Sequence, residues 1–257
     1  MSENKFEFPT EVIDLPSKGL GYPEGHPLKK GNIEIKYMTA REEDILASQS
    51  LIRKGVVLDK LFESVVVEPN VNINDILIGD KNAILLATRV LGYGAEYKVE
   101  ITDPSTLEEQ EVTIDLSKVK TKDFNEELLN AENIYKFKLP KSGAEVEFKL
   151  LTHGDELEIS KENQALARLY KGKGDTTFDV TTRLKYMIQS VDGNNDRGFI
   201  TKWVQNSFLA LDTKAFRKYV KEISPDMDLK FNFTSELTGE EEALDIPFGA
   251  GFFYPAE

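Results

Sequence analysis

Few residues of the types that carry out enzyme chemistry occur in this sequence in a usable pattern. The 257 residues include no cysteine and two histidines, His26 and His153. This composition excludes a thiol nucleophile, an iron–sulfur cluster, a cysteine-based zinc site and a multi-histidine metal centre. We therefore expect the protein to hold no metal and no other cofactor.

His153 is the histidine whose surroundings suggest chemistry, because Asp155 follows two residues later. Such a pair can transfer protons as a general acid and base. The alternative is structural, since Thr152 and Asp155 have the spacing of a helix N-cap and its first-turn acid. The pattern favours a helix start. His26 lies among prolines and glycines and is interpreted as a turn residue.

Two further segments resemble ligand-binding motifs without matching them. Lys171–Gly174 resembles a phosphate-binding loop but lacks its spacing and its preceding strand. Asp192–Asp196 has the composition of a calcium loop, yet Phe199 stands where an EF-hand requires glutamate, so an interhelical turn is favoured. Paired carboxylates are common, but in so acidic a chain they do not indicate a glycosidase site. We predict that the protein is not an enzyme.

The net charge of −13 comes almost entirely from two short segments. Residues 101–133 contain nine acids and three bases, and residues 234–257 contain six acids and no base. Nucleic-acid binding is therefore disfavoured, because phosphate repels an acidic chain. Residues 161–221 differ, with 12 bases and 6 acids. They predict a solvated helical face or, as the alternative, a patch for nucleic acid or another anion.

The amino-acid composition also limits the classes to which the protein can belong. Apolar residues make up 40% of the chain, including 15 Phe and 9 Tyr, which is enough for a sizeable core. No run approaches 18 apolar residues, and the first residues are polar and acidic. We therefore expect a soluble intracellular protein without a membrane span or a secretory signal.

The first third of the chain predicts turns, strands and helices. Prolines and glycines crowd residues 16–27, which is typical of a series of turns. The predicted elements are a strand over Val12–Leu15, a strand over Asn32–Tyr37, a helix with a capping box at Thr39 and Glu42, a helix over Val57–Val67, and a helix containing Ile84 and Leu91 capped by Asn74 or Asp80.

Four segments in the middle of the chain alternate apolar and polar residues with a period of two. They are Glu96–Thr102, Glu111–Leu116, Ile134–Leu139 and Glu145–Leu151. The link Pro140–Gly143 is typical of a hairpin turn. We expect these strands to form a small antiparallel sheet with one solvated face.

Helices return after Thr152, and the chain closes with a hairpin. The predicted elements are a helix from Thr152 through Leu169, a helix from Val180 to Val191, a helix over Phe199–Phe208, a helix capped by Asp212 and stopped by Pro225, and strands at Asp228–Thr234 and Ala243–Phe248. The whole is predicted to be α+β, a helical bundle region with a small antiparallel sheet inserted and a C-terminal β-hairpin.

The order of the predicted elements divides the chain into three parts. Residues 1–93 form the turn-rich segment with its strand and helices, residues 94–151 the small sheet, and residues 152–257 the helical region with the hairpin and an aromatic tail. The tail contains Phe252, Phe253 and Tyr254, whose exposure to water is costly. They either fold back over the hairpin or dock a partner.

Several segments, in the same order along the chain, resemble baseplate hub assembly proteins of T-even-type contractile-tailed phages. They are Glu11–Pro23, His26–Leu28, Thr39–Ile45, Ile200–Trp203, Asp212–Tyr219, Ile223–Pro225, Ile246–Gly249 and Phe252–Pro255. Some members of that family carry two cysteines in the terminal hairpin, like half of a zinc ribbon. The corresponding Phe233–Gly239 has none, so a zinc site is not carried over.

The resemblance implies a role in building the central hub of the tail baseplate. We expect a non-enzymatic, chaperone-like assembly factor that binds baseplate hub proteins in the host cell cytoplasm and contacts no membrane. One alternative is a structural hub subunit retained in the virion tail baseplate. Another is a nucleic-acid-binding module that uses residues 161–221. The expected protein-binding residues are Leu15, Pro16, Lys18, Tyr22, Trp203, Phe252, Phe253 and Tyr254.

Overall fold

The computed structural model describes residues 8–169, 179–248 and 250–253, and these form the predicted α+β fold. The helices are α1 (Ala40–Ala47), α2 (Gln49–Lys54), α3 (Val57–Val65), α4 (Ile78–Tyr93), α5 (His153–Leu169), α6 (Asp179–Met187), α7 (Arg197–Asn206) and α8 (Ala210–Ile223). The strands are β1 (Thr10–Asp14), β2 (Asn32–Lys36), β3 (Glu96–Thr102), β4 (Glu109–Asp115), β5 (Tyr135–Lys138), β6 (Glu145–Phe148), β7 (Ile188–Val191), β8 (Lys230–Thr234) and β9 (Glu241–Asp245).

All strand pairs are antiparallel, but the four central strands do not join into one sheet. β3 pairs with β4 alone, whereas β5 and β6 are joined by β7, which comes 40 residues later in the chain. The expectation of a single four-stranded sheet was therefore wrong. Alternation within a strand shows which face is buried, but it carries no information about a non-local neighbour.

The helix predicted over Val180–Val191 ends at Met187, and its last four residues form β7 instead. Ile188 is fully buried and pairs with Phe148 of β6, and Val191 pairs with Val146. The apolar spacing fits both a helix and a buried strand. Residues 188–191 form a strand because they pair with β6.

Two predicted helix caps have other roles. Asp212 lies inside the first turn of α8, where its carboxylate accepts bonds from the backbone N–H groups of Lys141 (2.7 Å) and Ser142 (3.0 Å). Asp80 lies in the first turn of α4 and points into the core. The capping box of Thr39 and Glu42 is confirmed.

One hydrophobic core draws residues from all three predicted parts of the chain. Phe62 and Ile84 come from the first part, Phe148 from the second, and Phe216 and Ile246 from the third. The shared core does not test the predicted domain boundaries at residues 93/94 and 151/152, which remain a prediction.

No helix among the described residues is long and apolar enough to cross a bilayer.

Candidate functional site

The turn segment Leu15–Leu28 is anchored on the carboxylate of Asp80, which is fully buried. Ser17 donates twice, from its backbone N to Oδ1 (2.9 Å) and from Oγ to Oδ2 (2.7 Å). Tyr22 donates its hydroxyl to Oδ2 (2.7 Å) and accepts from the backbone N of Leu77 (3.0 Å). The segment is thereby fastened to the start of α4.

Burial raises the pKa of Asp80, and the hydrogen bonds from Tyr22 and Ser17 oppose that effect. Burial also raises the pKa of Tyr22 far above its ordinary value, with the Asp80 charge as the next cause. Tyr22 therefore stays a neutral donor. The arrangement is a satisfied polar cluster in the core, because each buried hydroxyl or carboxylate has a partner.

Glycine is required in this segment at Gly19. Its φ is +77°, and a Cβ there would lie 2.3 Å from the carbonyl oxygen of Lys29. Only a residue without a side chain permits this close approach. The Pro/Gly-rich opening that carries much of the family resemblance thus has a structural explanation.

The structure distributes the eight expected protein-binding residues unevenly. Leu15, Pro16 and Tyr22 are buried, whereas Lys18 is exposed and pairs with Glu126 (2.5 Å). A partner that approaches this segment meets Lys18 and not the three buried side chains.

The other expected residues lie far along the chain. Trp203 is half-buried and packs on Phe208 at 4.8 Å between ring centroids. Phe252 and Phe253 are each 1% exposed, and Tyr254 lies outside the described residues.

Phe252 and Phe253 fold back onto the body of the protein. Phe252 packs edge-on against Tyr97 of β3 (5.0 Å), and its carbonyl accepts a bond from Arg89 Nε (2.9 Å). Arg89 is itself only 2% exposed and also donates to the carbonyl of Gly94 (2.9 Å). The end of the described chain is thus held by α4 and β3, and by Phe248, whose ring lies 4.8 Å from that of Phe252 between centroids.

His153 is fully buried at the start of α5 and packs edge-on against Phe62 (4.9 Å). Its Nδ1 lies 3.8 Å from Asp59, and neither ring nitrogen has a hydrogen-bond partner among the described residues. Burial, followed by the charge of Lys81, lowers the pKa of His153. Asp155 instead bonds Thr152 and Lys149, as expected of the helix start.

The two acidic segments found in the sequence form hairpins that lie side by side. Ser235 Oγ of the β8–β9 turn donates to Asp103 Oδ2 of the β3–β4 turn (2.5 Å). Gln110 of β4 extends the contact, since Nε2 donates to the carbonyl of Thr234 (3.0 Å) and Oε1 accepts from the backbone N of Glu236 (3.0 Å). Hydrogen bonds from Ser235 and Ser105 hold the pKa of Asp103 at about 2.

Two leucines project from the joined hairpin turns. Leu107 is 78% exposed and Leu237 is 66% exposed. Leu107 also has a φ of +64°, an uncommon backbone conformation for a leucine. We call these leucines, together with the acids beside them, the hairpin-tip surface. Its acids are Glu108, Glu109, Glu236, Glu240 and Glu241, all exposed.

The outer face of β3–β4 continues this negative surface. Glu100 lies directly opposite Glu111 in the ladder, and Glu96 lies opposite Asp115. Like charges in direct cross-strand pairs destabilise a hairpin. Lys98 lies between these pairs and contacts Glu96 (3.8 Å), whereas Glu100 and Glu111 face each other with no base paired to either in the described part of the chain.

A groove runs between α6, α8 and the segment after α8. It consists of two adjoining cavities of about 450 and 220 Å³ that share five lining residues, Arg183, Met187, Val220, Ser224 and Asp226. Its floor is apolar, formed by Leu184, Met187, Phe216, Val220, Met227 and Leu229. At Gly79 the backbone of α4 approaches the segment after α8 closely. A Cβ at this position would lie 1.9 Å from the carbonyl oxygen of Pro225, so only glycine fits.

The residues missed by sequence reasoning are mostly polar residues inside apolar elements. Asp80 and Arg89 interrupt the apolar face of α4, and Gln110 stands in a strand. A polar residue at a position where periodicity demands an apolar one is the available signal. Such a residue indicates a buried polar contact, but the sequence does not indicate which residue it contacts.

One comparison with known proteins, a scan against family models, supports the baseplate part of the resemblance seen in the sequence. The family model for the T4 bacteriophage base plate protein matches residues 11–253. Neither the curated proteins nor the solved structures contain a match to the chain. The matched range includes the turn segment on Asp80, the joined hairpins, the groove and the buried aromatic end. The chain therefore belongs to the T4 bacteriophage base plate protein family.

Proposed function

We propose that this baseplate protein is a non-enzymatic assembly factor that binds a hub protein in the host cytoplasm and keeps it competent to assemble. Membership of the baseplate family supports a role in the tail. The observation that carries the proposal is the hairpin-tip surface, where Leu107 and Leu237 stand exposed among acids.

An exposed apolar centre with a charged rim suits a selective and reversible contact. The leucines supply apolar area that is removed from water on binding, and the acids orient a partner and reject others. The contacts of Ser235 and Gln110 hold the two turns together before any partner arrives. Such preorganisation lowers the entropic cost of association.

The test is the double variant Leu107→Ser/Leu237→Ser, because both side chains are exposed and their loss should leave the fold intact. We expect the variant to melt like the wild type and to lose co-purification of hub proteins from infected cells at least about tenfold. The matched control is Leu211→Ser, which changes a leucine of similar exposure on α8. Undiminished co-purification by the double variant would contradict the proposal.

A further inference from the structure

The rim of the groove is positive in a strongly acidic chain. Five bases line the larger cavity, against four acids, while the whole chain carries −13. The bases are Lys122, Arg183, Arg217, Lys221 and Lys230, and the acids are Asp179, Asp226, Asp228 and Asp245.

Two of the bases that line the larger cavity, Arg217 and Lys221, come from a basic row on α8. Lys214, Arg217, Lys218 and Lys221 follow one another at helical spacing, and all four are exposed. Arg217 and Lys221 have no carboxylate within 4 Å among residues 8–169, 179–248 and 250–253. Lys218 has one distant partner, Glu222, at 3.7 Å.

Two of the four lining acids have partners. Asp179 pairs with Arg183 (3.0 Å), and Asp226 accepts from Asn82 (3.0 Å). Lys122 donates to the backbone carbonyl of Ser224 at the end of α8 (3.1 Å). The lining charges that α8 itself contributes, Arg217 and Lys221, are therefore positive and unpaired among the described residues.

We propose that the groove docks an acidic segment of a partner protein that also carries aliphatic side chains. The aliphatic side chains would cover Met187 and Val220 on the floor, and the carboxylates would meet Arg217 and Lys221 on the rim. This surface is separate from the hairpin-tip surface, so the inference goes beyond the proposed function.

A protein segment fits the groove better than nucleic acid does. Asp226 and Asp228 lie near Lys122 at the same mouth, where they repel a phosphate backbone. A polypeptide can place its carboxylates at α8 alone and present apolar side chains to the rest. The apolar floor gives no hydrogen-bond donors to a base edge or a phosphate.

The experiment places a photo-crosslinking amino acid at Val180, a groove residue that is 45% exposed, in cells that produce the phage. Sequencing of the crosslinked peptides identifies what occupies the groove. We expect an acidic peptide with Leu, Ile or Val side chains. The double variant Arg217→Glu/Lys221→Glu should lower the crosslinking yield at least about tenfold, because like charges then face each other.

The matched control is Lys54→Glu/Lys202→Glu, which makes the same change in charge at exposed lysines of α2 and α7, outside the groove lining and outside the row on α8. It should keep the wild-type yield. An equal loss in the control, no crosslink, or a crosslink to nucleic acid, to a second copy of this chain or to a segment without excess acid would overturn the inference. An acidic segment from a protein outside the hub would retain the inference, and the proposed function would still be tested by the leucine variant of the hairpin-tip surface.

Discussion

Glu42 and Asp80 are carboxylates that the fold buries completely, and each is satisfied in its own way. Glu42 accepts from Lys36 (2.7 Å), Ser64 (2.6 Å) and Thr39 (2.7 Å), whereas Asp80 accepts from uncharged donors only. The two therefore affect the pH dependence of stability with opposite signs, because burial raises the pKa of Asp80 and its contribution is lost as the pH rises, whereas the pKa of Glu42 is lowered. Burial alone would raise the pKa of Glu42, but the bonds from Lys36, Ser64 and Thr39 outweigh it and lower that pKa from 4.5 to about 2.

The first prediction concerns the acid stability of the protein. Because the native pKa of Glu42 lies below the unfolded one, its contribution is complete above pH 4.5 and is lost as the pH falls toward about 2. Glu42→Gln should cost about 3 kcal/mol at pH 7, since Lys36 loses its buried partner, and should flatten this part of the pH profile. Urea unfolding at several pH values measures both effects. Glu43→Gln, at an exposed neighbour, should change neither, and equal behaviour of the two variants would refute the prediction.

The second prediction concerns the turn segment on Asp80. Tyr22→Phe removes one donor to Asp80 and leaves the backbone N of Leu77 without its acceptor. We expect a loss of about 2 kcal/mol in the free energy of unfolding. Tyr37→Phe is the control, because among the described residues the Tyr37 hydroxyl makes one long contact, to Glu11 (3.4 Å); this variant should lose under about 0.5 kcal/mol. A Tyr22→Phe protein as stable as this control would show that the cluster is not an anchor.

At the scale of elements, the sequence predicted secondary structure correctly where the residues that contact each other are close in sequence. The capping boxes at Thr39 and Thr152 and the terminal hairpin follow from spacing alone. The strand β7 does not, because β6 decides its conformation from 40 residues away. The short helix α2 has a Ser48 cap and was also missed in the sequence.

The third prediction concerns the aromatic end. Phe252 and Phe253 are buried, so deletion of residues 251–257 should lower the melting temperature and weaken every function together. Phe252→Ala should cost about 4 kcal/mol, and Phe199→Ala, at a phenylalanine that is 39% exposed, under about 1 kcal/mol. A truncated protein that melts normally yet fails to bind hub protein would assign the tail to docking instead.

The fourth prediction concerns the hairpin β8–β9, which contains no cysteine. Phe233 and Ile246 are buried and Phe231 and Leu244 are half-buried, which supplies an apolar base for the hairpin. A chelator should therefore leave the melting temperature unchanged. Elemental analysis that finds one tightly held zinc per chain would contradict this expectation.

At the scale of the whole molecule, charge is separated into two surfaces. The two acidic segments could be counted in the sequence, but their meeting through Ser235 and Gln110 could not be foreseen, since more than 120 residues separate the contacting groups. The basic row on α8 lies beside an apolar groove for the same non-local reason. The sequence suggested the aromatic tail as a candidate partner-binding segment. We now propose the hairpin-tip surface and the groove beside α8 as the partner-binding surfaces instead.

The central claim is that the protein assists hub assembly and then leaves. The most direct measurement is quantitative mass spectrometry of this chain against a hub protein, in hub intermediates from infected cells and in purified virions. The account predicts a fixed stoichiometric ratio in the intermediates and a ratio near zero in the virion. The same stoichiometric ratio in finished particles would contradict it and identify a structural subunit of the baseplate.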